Sequence, residues 1–101
     1  MRDDEILTGD LLEDCWLTIE QVAAACEAEP KWLLDHLEAG LLPQAESVAG
    51  VWRLSAAGLL RARRMRRIER DFDAVPELAA LVADLLEELD RLRAQLPRPL
   101  P

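Results

Sequence analysis

Leu78, Val82, Leu85, Leu89, Leu92 and Leu96 recur at alternating spacings of four and three residues. That period aligns them into one stripe along a helix, the seam of a coiled coil. A single helix is therefore expected from about Glu77 to Leu96. Leu81 and Leu86 widen the stripe beyond what one short partner helix would cover. Either the protein's own core or a second copy of the chain must bury it. Pro76 breaks or restarts the helix at its amino end. The tail, Pro97-Arg98-Pro99-Leu100-Pro101, cannot be helical and is expected to be disordered.

Upstream, local punctuation marks further helices. Leu and Ala dominate with almost no β-branched runs, so helix is the default state. Thr18 and Gln21 have capping-box spacing, and Leu17 and Val22 sit where a hydrophobic staple would, so a first helix runs from Thr18 to about Cys26. Pro30 suits the first turn of a second helix carrying Leu33, Leu34 and Leu37. Gly40 stops it as a left-handed cap before Leu41-Leu42-Pro43. Two short helices joined by a short turn make a helix-turn-helix. Gln44 to Gly50 reads as a loop and Val51-Trp52-Arg53-Leu54 as a short strand, together the size of a small wing. Ser55 caps a third helix, with Leu54 and Leu59 as its staple. At about 100° per residue, Arg63, Arg66, Arg67 and Arg70 share one face of it. Met65, Ile68 and Phe72 point the other way, toward a core.

Charge divides the chain. Residues 1–50 hold twelve acidic side chains against Arg2 and Lys31, whereas residues 51–101 hold ten Arg against eight acids. The first half should repel phosphate and attract basic surfaces. Residues 1–16 form an acidic arm with Ile6, Leu7, Leu11, Leu12 and Trp16 interspersed, readable as a frayed arm or a short packed segment. No apolar run approaches the roughly 20 residues that span a bilayer. With no secretory signal, Cys15 and Cys26 are expected as free thiols in a reducing cytoplasm.

Catalytic chemistry finds no support. The chain has no Gly-rich phosphate loop and no zinc-finger spacing. His36, the one histidine, lacks a serine or cysteine partner at a motif-like distance. Cys15, Cys26 and His36 match no familiar metal site and lack a fourth ligand. No enzyme activity, metal or cofactor is expected.

The order of these elements resembles the MerR family. Leu17-Thr18-Ile19-Glu20-Gln21-Val22-Ala23 looks like the opening of its first helix, and Leu37-Glu38-Ala39-Gly40-Leu41-Leu42-Pro43 like the end of its recognition helix. Ser55 to Ile68 resembles its next helix, with Leu59, Ala62, Met65 and Ile68 in the apolar positions. Within that superfamily the chain is more similar to CbpM. The signs are its short length, Val51-Trp52-Arg53-Leu54, the junction Asp71-Phe72-Asp73-Ala74-Val75-Pro76, and Leu89-Asp90-Arg91-Leu92-Arg93-Ala94-Gln95-Leu96. The resemblance implies a mostly α fold: a MerR-like winged helix-turn-helix with a small β wing, followed by a long C-terminal coiled-coil-type helix. The expected organisation is an acidic arm over 1–16, the winged domain over 17–75, the leucine-rich helix over 76–96 and the tail over 97–101.

CbpM-like proteins bind the J-domain of a CbpA/DnaJ-like co-chaperone, block its stimulation of a DnaK-type chaperone, and block its DNA binding. The resemblance implies the same role here, as a chaperone modulator. DNA-binding MerR proteins place Arg residues in the recognition helix. Here that stretch, Lys31-Trp32-Leu33-Leu34-Asp35-His36-Leu37-Glu38, presents one Lys with Asp35 and Glu38, and carboxylates facing phosphates repel. No direct nucleic-acid contact is expected. Asp35 and Glu38, with Glu27, Glu29 and Glu46, are the expected acidic face for the J-domain's basic helix. Trp32 or Trp52 would be either its anchor or core packing. The resemblance also implies a homodimer through Leu78, Val82, Leu85, Leu89, Leu92 and Leu96. Two alternatives remain: a MerR-like DNA-binding transcriptional regulator using the Arg stripe, and an antitoxin or other helical assembly factor.

Overall fold

The computed structural model describes residues 15–96. The acidic arm before Cys15 and the tail after Leu96, both singled out in the sequence, lie outside the described residues. Seven elements follow in order: β1 (Leu17–Thr18), α1 (Ile19–Ala25), α2 (Pro30–Glu38), β2 (Ala45–Val48), β3 (Val51–Leu54), α3 (Ala56–Phe72) and α4 (Pro76–Gln95).

The expected caps form. The Thr18 hydroxyl accepts from the Gln21 amide at 3.1 Å, and the Gln21 side chain accepts from the Thr18 amide at 2.9 Å. Ser55 caps α3 through the Gly58 amide. Pro30 and Pro76 each occupy a first helical turn, where the missing N–H is no loss. Helix α2 closes on Gly40 at φ +76°, with the Gly40 amide donating to Leu37 O and the Leu41 amide to His36 O. This is the Schellman pattern, which supplies partners to end-of-helix carbonyls. Helix α1 ends in the same pattern, Glu27 to Ala24 O and Ala28 to Ala23 O, but with Glu27 in the left-handed position at φ +56°.

Two strands depart from the sequence reading. Residues 45–48, expected as loop, form β2, and Leu17–Thr18 pair as β1 before α1 begins. The sheet runs β1-β3-β2, antiparallel throughout, with Leu17 opposite Leu54 and Glu46 opposite Arg53. Ala49 and Gly50, at φ +53° and +81°, make the two-residue turn that joins β2 to β3. Positive φ at both central positions matches the twist of a tight hairpin. Ala-Glu-Ser-Val carries no alternating pattern, so the backbone ladder rather than burial makes it a strand.

The core lies between α1, α2, β3, α3 and the start of α4. Leu33, Leu54, Met65 and Val22 are its largest fully enclosed side chains, joined by Leu17, Leu37, Leu42, Leu59 and Ala62. Both staple pairs are thus buried. Gly58 brings the first turn of α3 against the chain before β2: a Cβ there would stand 3.0 Å from Gln44 O and 3.3 Å from Leu54 Cβ. That same Gln44 carbonyl accepts from the amide and the hydroxyl of Ser55.

One expectation about an apolar face needs correction. Phe72 is 75% exposed, not turned into the core. It shares a face with buried Met65 two turns earlier, but the last turn of α3 runs past the elements that cover that face. In α4, the residues that pack on the core are Ala79, Ala80 and Ala83. Their small side chains let α4 approach α3 closely. The leucine stripe points elsewhere: Leu78, Leu81, Leu85, Leu89, Leu92 and Leu96 are 40% to 68% exposed, and Val82 is half-buried. The protein's own core therefore does not cover it.

Candidate functional site

The exposed face of α2 is acidic. Asp35 and Glu38 are both exposed, one turn apart. Lys31, the only Lys or Arg on the helix, is 3.1 Å from Asp35 in an i,i+4 pair. Such a pair contributes a few tenths of a kcal/mol, but it leaves no unpaired cation on this face. Glu29 is exposed at the amino cap of α2 and makes no side-chain capping bond. Glu27 is exposed at the end of α1, within 3.7 Å of Arg70. Glu46 is different: on β2 it is half-buried and held by the guanidinium of Arg53 directly opposite. A cross-strand pair of this kind neutralises it. The structure thus places Glu29, Asp35 and Glu38 on or beside α2, and assigns Glu27 and Glu46 to arginines.

Trp32 and Trp52 differ in what holds them. Trp52 is half-buried on β3 opposite Ser47 and packs on the core edge. Trp32 is half-buried on α2, and its indole Nε1 donates to Glu69 Oε1 on α3 at 2.9 Å. His36, one turn on and 4% exposed, has its ring 4.1 Å from the Trp32 ring. Its Nδ1 donates to Trp32 O at 2.7 Å, and its Nε2 lies 2.6 Å from Glu69 Oε2. A carbonyl can only accept, so the Nδ1 proton goes to Trp32 O. One carboxylate therefore clasps two side chains of the helix-turn-helix to α3. Sequence reasoning missed this clasp, because residues 33 positions apart carry no local signal.

Arg61 was also missed. It is 3% exposed, and its Nε donates to Leu41 O at 2.8 Å. Its Nη1 reaches Asp84 at 2.7 Å and Glu87 at 3.0 Å on α4. Arg64 adds an Asp90 contact at 2.7 Å. A signal did exist: Arg61 sits among Gly58, Ala62 and Met65 on the buried stripe of α3, where an arginine needs partners.

The remaining arginines of α3 line a groove. Arg63, Arg66, Arg67 and Arg70 face Ala25, Cys26 and Glu27 at the end of α1. Burial pushes the Cys26 thiol up to about 11, against a smaller opposing effect of Arg63 and Arg66, so it stays a neutral thiol at neutral pH. Among the described residues no group of His, Cys, Asp and Glu is placed to hold a metal ion, and no helix is long and apolar enough to cross a membrane.

A helix-turn-helix braced by a three-stranded wing and backed by two long helices defines a winged helix-turn-helix protein. The model of the MerR HTH family regulatory proteins matches residues 17–98, and the chain belongs to that family. No curated protein matches it, and no solved structure does.

Proposed function

We propose that the chain is a chaperone modulator that binds the J-domain of a CbpA/DnaJ-like co-chaperone and excludes its DnaK-type partner. The observation that carries this reading is the charge of α2. The helix that the resemblance marks as the DNA reader exposes Asp35 and Glu38, and its one Lys is already paired to Asp35. Such a face suits a basic protein helix and repels phosphate. Glu29 extends it, while Glu27 and Glu46 contribute less, being paired with Arg70 and Arg53. Trp32, beside Asp35 on α2, is the anchor in this reading, held in place by Glu69.

The exposed leucine stripe of α4 supports a homodimer through Leu78, Val82, Leu85, Leu89, Leu92 and Leu96. Phe72 and Val75, at the junction of α3 and α4, are exposed as well. A row of exposed leucines along one helix is the kind of apolar surface that a partner covers. Sedimentation of a Leu85→Asp, Leu89→Asp variant as a monomer beside a dimeric parent supports this interface; a monomeric parent at high micromolar concentration removes it.

Calorimetry with a J-domain from the same source, at two salt concentrations, tests the main reading. Binding that weakens with salt, and is lost on reversing Asp35 and Glu38 to Lys, is expected. Absence of binding at either salt sinks it. A DNA-binding regulator is the second reading, favoured by the arginine face of α3 and by membership of a family of HTH regulatory proteins. Salt-dependent retention on duplex DNA is its signature.

A further inference from the structure

The arginine groove carries an inference independent of J-domain binding. Arg63 to Arg70 spans about 10 Å of helix rise, so four guanidinium groups crowd one flank of an open cavity of about 210 Å³. Arg70 meets Glu27 at 3.7 Å and Asp71 at 3.6 Å. Arg66 leans over the Trp32 ring at 5.7 Å, and its buried Nε has no hydrogen-bond partner. Arg63 and Arg67 are exposed and lie within ion-pair distance of no carboxylate among the described residues. Glu27 is the one carboxylate in the lining among the described residues. Glu27 and Asp71 both sit at Arg70, so Arg63, Arg66 and Arg67 repel one another with little compensation among the described residues, and a bound anion relieves that repulsion.

We propose that this groove is a binding site for a compact, multiply charged oxyanion of the phosphate class. Guanidinium presents its donors in a planar fork that matches phosphate oxygens, and such charge-assisted bonds are the strong ones. The cavity is smaller than the roughly 300–1,000 Å³ of drug-sized pockets, which suits a ligand of one or two phosphate groups. A long polyanion fits less well. Beyond Glu27 at the rim the chain continues to Glu29 and to the acidic face of α2, and the whole carries a net charge of −8. Duplex phosphates running past the groove would meet those carboxylates.

Calorimetry and thermal unfolding of the full chain with inorganic pyrophosphate, in low-salt buffer free of phosphate, test the site. Saturable binding and a raised Tm are expected. An Arg63→Ala, Arg67→Ala variant should weaken binding about 100-fold, taking about tenfold for each charge-assisted contact. Both side chains are exposed, so the variant should fold, and its unliganded Tm checks this. Arg53→Ala, on the wing, should leave affinity unchanged. ADP in place of pyrophosphate separates the sources: equal affinity means that the phosphates alone are recognised, and tighter binding marks a nucleotide. No heat and no Tm shift at millimolar pyrophosphate would overturn the proposal, as would equal binding by the double variant. Duplex DNA binding that needs Arg63 and Arg67 but is not displaced by pyrophosphate would overturn it too, by showing an extended polyanion surface.

Discussion

His36 Nε2 and Glu69 Oε2 stand 2.6 Å apart between α2 and α3, 33 positions apart in the chain and almost hidden from solvent. The same carboxylate holds the Trp32 indole. The orientation of α2 on the scaffold therefore depends on one acidic side chain from a helix otherwise rich in arginine. Glu69→Ala would leave the His36 ring nitrogen and the Trp32 N–H without partners in a closed site. The expected loss is about 2–4 kcal/mol, at about 1–3 kcal/mol for each enclosed polar group left without a partner. That is a large share of the roughly 5–15 kcal/mol available to a small domain. Urea unfolding followed by Trp fluorescence measures it, and a loss under about 1 kcal/mol would show that the clasp is not structural.

Arg61 ties three segments together. Its fork serves Leu41 O through Nε, and Asp84 and Glu87 through Nη1. Lysine keeps the charge but cannot reach these partners in the same geometry. Arg61→Lys should destabilise by about 1.5–3 kcal/mol, the range for hydrogen bonds to charged groups. Amide exchange in α4 should speed up more than exchange in α1. Uniform protection in both helices would argue that α4 is held by Ala79, Ala80 and Ala83 alone.

Gly58→Ala tests the close approach of α3 to Gln44. Alanine is ordinarily the better helix former by about 1 kcal/mol, yet here its Cβ would press on a backbone carbonyl at 3.0 Å. The steric cost of overpacking, about 1–3 kcal/mol, should outweigh the gain in propensity. A lowered Tm is expected, and a raised one would mean that the loop before β2 yields freely.

Cys26 gives a pH signature. Its thiol holds its proton up to about pH 11 in the folded chain, against 9.0 ordinarily, because burial disfavours the thiolate. Above pH 9 the unfolded thiol ionises while the folded one does not, so unfolding releases a proton. Stability from this group is whole below pH 9 and falls as pH rises toward 11. A Cys26→Ala variant should show a shallower loss of stability across that window. Alkylation at pH 8 should modify the parent slowly at Cys26 and quickly once it is unfolded; equal rates would place the thiol at the surface.

Several features of this chain follow from its sequence alone because their causes are local. Thr18 with Gln21, Pro30, Gly40, Ser55 and Pro76 act through bonds and clashes within one helical turn, so they mark helix ends wherever the helices pack. The order of helices, the wing strand at Val51–Leu54 and the core positions Val22, Leu33, Leu59 and Met65 were legible for that reason, as was family membership. β2 was not, because Ala45–Val48 carries no apolar alternation and becomes a strand only by pairing with β3. Phe72 misled because periodicity reports a face, not how far along the helix that face is covered. The acids Glu27, Glu46 and Asp35 looked alike in sequence, yet each found a different cation, and only folding assigned those partners. Arg61, Glu69 and His36 are the clearest case. Whether a charged residue is solvated or buried depends on what the fold brings against it from 20 or more positions away, and that distance is decided by tertiary structure.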